Sequence, residues 1–325
     1  MPIVAPFHFD DYIETVAFID DVPAFGCASG EVRLFTDQGE KVVVAHDGLL
    51  CGTRALDGKS LLTGGEDGRV KRLSANGDLE EVAHIERKWI SSVAAGPNGA
   101  IAWCVGREAH VKSVKNDVRI FAHERTVEDV CFAPKGLRIA AARYNGATLN
   151  WAGTEMPKQD LEWAGAHTQI LFSPDGRYLV SSMQENSLHG WRLTDERHMR
   201  MSGYPTKVKS MSFSRGGKWL ATSGASSAVV WPFVGKDGPM GKMPKELGHR
   251  AESLIVAVAC HPKEDVVALG YEDGMVAAVA IGDGKDVLLR HPGKAPVTRL
   301  AWDDGGRRLL FGCENGEAGL VDLSV

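Results

Sequence analysis

The chain has 325 residues, of which 44% are apolar and 24% charged, with a formal charge of −5. That balance excludes a strongly basic nucleic-acid binder, and no apolar run is long enough for a membrane-spanning helix. The length allows two ordinary domains, but the sequence features are spread evenly, so one domain over residues 1–325 is expected.

The opening residues, MPIVAPFHFDD, hold no basic stretch leading into a long apolar run; no secretory signal is read, and a cytoplasmic location is expected. Ile3, Val4, Phe7 and Phe9 supply one extended segment ahead of everything that follows. From there the chain runs as short apolar segments closed by turn residues, among them VAFIDDVPAFGCAS, SLLTGGEDGRVKRL, AIAWCVGREAHVKSV, RIAAARYNGATLNW and RLLFGCENGEAGLVDL. None holds apolar residues at helical spacing over about ten positions, so an all-β chain with very little helix is expected. One connection is long. Pro232 to Leu247 carries three Pro and three Gly, which disfavour both strand and helix, and it reads as a loop between two strands.

These segments repeat. Phe172 to Leu193, FSPDGRYLVSSMQENSLHGWRL, is a turn, an alternating strand, a polar break and a second strand ending near Trp191, and Trp151, Trp191 and Trp231 recur at forty-residue intervals. Aligning the chain on it gives eight copies with an apolar column at Phe35, Leu73, Val114, Trp151, Trp191, Trp231, Val279 and Val321. Ahead of a DG, PNG, PKG, PDG or similar turn lies a second column: Phe18, Arg54, Ala95, Phe132, Phe172, Phe213, Cys260 and Trp302. Arg54 breaks it and is read as a local shift of that strand. A fixed period near forty marks a repeat architecture.

With these residues in view, the chain resembles the WD40-repeat β-propeller family, in which each repeat forms a four-stranded antiparallel blade. The Gly-His pair that opens such repeats reads Ala45-His46, Ala83-His84, Ala122-His123, Ala166-His167 and Gly248-His249, while Phe7-His8, Arg290-His291 and Gly203-Tyr204 fill the other places. The repeat count predicts eight blades, with seven, the commoner family number, as the alternative. Each repeat supplies the end of one blade and the start of the next, so the last blade lacks one strand; the segment Ile3 to Phe9 is expected to supply it and close the ring.

Signatures of chemistry mostly fail. Gly52 to Ser60, GTRALDGKS, has one residue too many for a phosphate loop and enters a strand where a helix is required. No G-x-S-x-G turn occurs, and the six cysteines show no C-x-x-C pairing. Neither an enzyme nor a bound cofactor is expected. The recurrent histidines are set apart by the repeat, which argues against a metal centre. The resemblance implies instead that each is hydrogen-bonded to a Ser or Thr and an Asp of its own blade; His167, placed closer to its turn, is read as reaching toward the channel mouth.

Family resemblance also implies where function lies. Loops after the fourth strand, and those between the second and third strands, gather on the face around the channel mouth, where such proteins bind partner proteins or peptides. On that face the sequence places Lys88, Trp89, Arg107, Arg125, Arg143, Tyr144, Gln184, Tyr271 and Glu272. Arg and aromatic residues are common anchors of interfaces. The reading is a monomeric, non-enzymatic scaffold for a protein or peptide partner, with no nucleic acid and no membrane contact. A small-ligand or metal-handling protein using the channel mouth, and a propeller enzyme with a dispersed site, are the alternatives.

Overall fold

A computed structural model describes residues 3–115 and 117–324. Among them the chain is antiparallel β throughout, and the only helical element is a 3-10 turn at Pro97–Gly99. The backbone divides into two compact units, one of residues 1–27 with 203–325 and the other of residues 28–202.

In the first unit, Ile255–Cys260, Val266–Tyr271, Val276–Ala280 and Asp286–Arg290 form a four-stranded meander. Val297–Trp302, Arg308–Cys313 and Glu317–Asp322 form three strands of another, and Ile3–His8 pairs antiparallel with Glu317–Asp322 as its fourth. The N-terminal segment thus completes the last sheet, as its alternation and the missing strand require. The sheet containing Met211–Phe213, Trp219–Thr222 and Ala228–Pro232 takes Lys245–Leu247 as its fourth strand, so residues 233–244 form the expected long connection. Ile13–Ile19 and Val22–Cys27 form a hairpin.

The second unit holds the hairpin Glu31–Thr36 with Gly39–Val44 and two meanders, Leu49–Arg54 through Leu79–His84 and Ser92–Ala95 through Val118–Ala122. Its fourth and fifth repeats depart from expectation. Arg138–Trp151 and Gln159–Phe172 are fourteen residues each; the first bends within the fourth repeat, and the second runs from the fourth repeat into the fifth and joins them in one six-stranded sheet. The described strands therefore fall into seven hydrogen-bonded sheets and not eight. Spacing could not reveal this: the repeat period is kept, and no break residue interrupts the passage from Ala166 to Gln169.

Register explains the columns. Arg54, Ala95, Phe132, Phe172, Phe213, Cys260 and Trp302 each end a first strand and face Leu61, Ile101, Ile139, Leu179, Leu220, Val267 and Leu309. Arg54 is in step with the others, so no strand shift is needed. The column at Val114 is corrected: that residue lies beyond Glu108–Lys112 and is 64% exposed, and the place facing Ile101 is held by Lys112, next to the buried Val111. In the turns between first and second strands, Gly58, Gly136, Gly176, Gly217 and Gly306 hold φ between 65° and 75°, a region that a side chain makes costly.

Candidate functional site

The best-defined site on the predicted loop face is a groove of about 640 Å³ in the second unit. One wall is the chain leaving the edge strand Val118–Ala122, with His123, Glu124 and Arg125; the other is the bent middle of the long hairpin, with Arg143, Tyr144, Asn145, Thr148, Lys158, Asp160 and Glu162. The bend follows from the sequence. Register slips between Tyr144 and Gly146, Asn145 has φ 64°, and a Cβ on Gly146 would lie 2.1 Å from the Leu161 carbonyl oxygen. Such a bulge turns side chains out of the ladder, and the Tyr144 ring is left 52% exposed.

Arg143 fixes the floor. Its Nε donates to Thr148 Oγ1 at 2.9 Å, one terminal nitrogen donates to the Tyr144 and Asn145 carbonyls, and the other donates to Asp160 at 3.1 Å and Glu162 at 2.7 Å. Burial acts to raise the Asp160 carboxyl, but hydrogen bonds from Lys158, Thr148 and Arg143 outweigh it and its pKa falls below the ordinary value. His123 donates from Nδ1 to the Phe121 carbonyl at 3.0 Å, which leaves Nε2 a buried acceptor without a partner. Burial holds its pKa below the ordinary value, so the ring is neutral near pH 7. Arg125 and Glu124 make no side-chain hydrogen bond or ion pair among the described residues.

Of the nine face residues predicted, Arg125, Arg143 and Tyr144 come together here. Arg143 does so as a support whose donors are already engaged. Arg107 is exposed, and its carbonyl accepts the His123 N–H at 2.8 Å, so only its backbone touches the groove's wall. Lys88 and Trp89 are exposed on one loop and Gln184 on another of the same unit, Trp89 at 64%. Glu272 is exposed in the other unit. Tyr271 is a correction: it is only 1% exposed and donates its hydroxyl to the Gly248 carbonyl at 2.7 Å, so it serves the core. The sequence reading missed Asp160 and Glu162, although their i, i+2 spacing on a strand puts two carboxylates on one face.

One recurrent neighbour satisfies three of the His places, while His249 finds Ser227 at 3.0 Å instead. His46 bonds Asp67 at 2.9 Å and Thr63 at 2.8 Å, as the resemblance implied. His167 bonds Ser181 at 2.6 Å and the Trp163 carbonyl at 3.0 Å, and it is fully buried; it does not reach a channel mouth. Tyr204, standing in a His place, bonds Thr222 at 2.7 Å and accepts the Trp231 indole N–H at 2.7 Å. Thr63, Ser181 and Thr222 occupy one register position, two residues past Leu61, Leu179 and Leu220. At that position the third and fourth repeats carry Trp103 and Ala141, which offer no hydroxyl, and His84 is exposed while His123 turns to a carbonyl. In the fifth repeat His189 stacks on Trp163 at 3.9 Å and meets His198 at 3.0 Å; burial, then the neighbouring His198 and His167, push its pKa down to about 3. Among the described residues no three His, Cys, Asp or Glu side chains are placed to hold a metal ion.

Residues 196–231, covering Arg197–Met201 and the three strands from Met211 to Trp231, match the WD40 family, described as WD domain, G-beta repeat. This segment is a WD40 repeat. It takes the fourth strand of one sheet and the first three of the next, which is how the whole chain is divided. Curated relatives include Protein HIR1 of Mycosarcoma maydis, 25% identical over 78% of this chain and 26% of that protein. Autophagy-related protein 16 of Arabidopsis thaliana is 24% identical over 84% of this chain and 55% of its own length. The chain spans between about a fifth and about half the length of the first curated relatives it matches. Among solved structures, the computationally designed Ika8 protein aligns with a TM-score of 0.77 at 20% identity, over 97% of both chains. The fold is that of a β-propeller.

Proposed function

We propose that residues 1–325 act as one non-enzymatic interaction domain whose partner is a protein or peptide seated in the groove between His123 and Tyr144. One observation carries this reading: the half-exposed Tyr144 ring stands over a polar groove whose floor Arg143 has already fixed, with Arg125 beside it uncommitted. A rigid floor with an exposed aromatic and a free cation has the composition of an interface anchor. A cytoplasmic, monomeric protein is part of the same reading.

Arg125→Ala with Tyr144→Ala tests it. Partners captured by the wild-type chain are identified by mass spectrometry and titrated against both forms. The double variant is expected to lose about 2 kcal/mol or more, roughly thirtyfold in Kd, with its melting temperature nearly unchanged. Unchanged binding removes this groove from the interface.

A further inference from the structure

The column that ends each first strand carries an aromatic ring in five repeats, and in four of them the ring meets residues of the preceding repeat; Phe213 instead meets Phe233 of its own repeat. Phe132 lies against Gly96 so closely that a Cβ there would meet the ring at 2.7 Å. Phe172 packs in one cluster with Ala133 under the guanidinium of Arg138, 5.3 Å from the ring centre. Trp302 meets His261 at 4.8 Å between ring centres. Phe18 lies under Arg308 at 4.8 Å. Gly96, Ala133 and His261 each follow the column position of the preceding repeat, while Arg138 and Arg308 each open a second strand. Seat and ring therefore recur at fixed positions, and an arginine covers the ring in two of the repeats.

The seventh repeat has Cys260 in the ring position and compensates, because Trp219 opens the second strand opposite and packs in the same cluster. In the third repeat nothing compensates. Ala95 stands in the ring position, Ala55 in the seat and Ser60 in the cover, and all three line a cavity of about 740 Å³. Leu62 and Ile101 line it too, as does Arg72, whose guanidinium is held by Glu80 at 3.1 Å. Leu56 borders it and is 69% exposed. The volume is in the range of about 300–1,000 Å³ usual for binding sites; Leu62, Leu79 and Ile101 give it an apolar wall, while Asp57, Lys59, Asp78 and Glu80 add charge to its lining.

The geometry points to a docking slot for a Phe or Trp side chain of a partner polypeptide, supplied from outside where the third repeat lacks its own ring. The occupant follows from the repeat, since the equivalent seats are filled by phenyl and indole rings carried on a backbone. Arg72, which lines the slot from the third strand and not from the cover position, can meet such a ring with its guanidinium, a contact that favours an aromatic over an aliphatic group. The slot shares no residue with the Tyr144 groove and stands or falls separately from it.

Ala95→Phe in the full chain fills the slot from within. N-acetyl-tryptophanamide, followed by NMR, is expected to bind the wild-type protein and to bind Ala95→Phe about tenfold more weakly or not at all, while the melting temperature of the variant rises by about 2 °C or more. N-acetyl-leucinamide should bind the wild type about tenfold more weakly than the tryptophan amide. No binding to the wild type, equal binding to Ala95→Phe, or a fall in melting temperature overturns the assignment. Free indole binding more tightly than the capped amide would overturn the polypeptide as its source. Ala95→Leu provides the same comparison in a milder variant.

Discussion

Asp129 should make the protein lose stability as pH rises through neutrality. Its Oδ1 accepts the Ser92 hydroxyl at 2.6 Å and the Val130 N–H at 2.9 Å, and Oδ2 accepts the Ile170 N–H at 2.8 Å, so one carboxylate ties three repeats together. Burial nevertheless pushes its pKa up to about 6 from 3.8, against those three donors. A carboxyl whose folded pKa lies above its unfolded one holds its proton longer in the folded state. Its contribution is therefore fully present below pH 3.8 and is lost as pH climbs through 6. Two units amount to about 3 kcal/mol in all, of which nearly half falls between pH 5 and pH 8. Urea denaturation of the wild type and Asp129→Asn across that range isolates it. Asparagine cannot accept both the Ser92 and Ile170 hydrogen bonds through oxygen, which adds a constant offset, but it does not titrate. The wild-type stability minus that of the variant should therefore shrink by about 1 kcal/mol from pH 5 to pH 8. A difference that stays flat, or grows with pH, refutes the reasoning.

Trp191 is fully buried among Ala140, Leu179 and Phe172, with His189 at 4.7 Å, so Trp191→Ala should cost about 3–5 kcal/mol in urea denaturation. A loss under about 1 kcal/mol with water-like indole emission would contradict that burial. Deleting residues 1–10 removes the strand paired with Glu317–Asp322 and bares an edge, so gel filtration should show aggregation and the melting temperature should fall. A monomeric deletion protein of unchanged stability would show that the pairing contributes nothing.

Much of the fold was legible because repeats average out local noise. Trp191 alone says little, but Trp151, Trp191 and Trp231 at one spacing set the register, and that register predicted the pairing of Ile3–His8 with the last strand. What failed was local. Val114 was taken at a fixed distance from its turn, whereas the ladder of Glu108–Lys112 ends before it. Tyr271 was read as a rim residue because it stands near a turn, yet its hydroxyl finds a buried carbonyl. Candidate groove residues Arg125 and Tyr144 were found from residue type and loop position. The role of Arg143 was not, because its partners Thr148, Asp160 and Glu162 come from the far arm of a bent hairpin. The hydroxyl at Thr63, Ser181 and Thr222 was present in the alignment and marks the places of His46, His167 and Tyr204; it does not mark His249, which bonds Ser227 at 3.0 Å.

The six-stranded sheet changes what counts as a unit within residues 28–202. Where neighbouring repeats are joined by a loop, a break in that loop leaves both sheets intact. Between the fourth and fifth repeats the joining segment is itself paired on both sides: Ala166 with Tyr144, and His167 with Met183. A cut there severs two ladders at once. Insertion, permutation or proteolysis at Gly165 to Gln169 therefore acts on both repeats together, and amide exchange should report them opening as a single cooperative block.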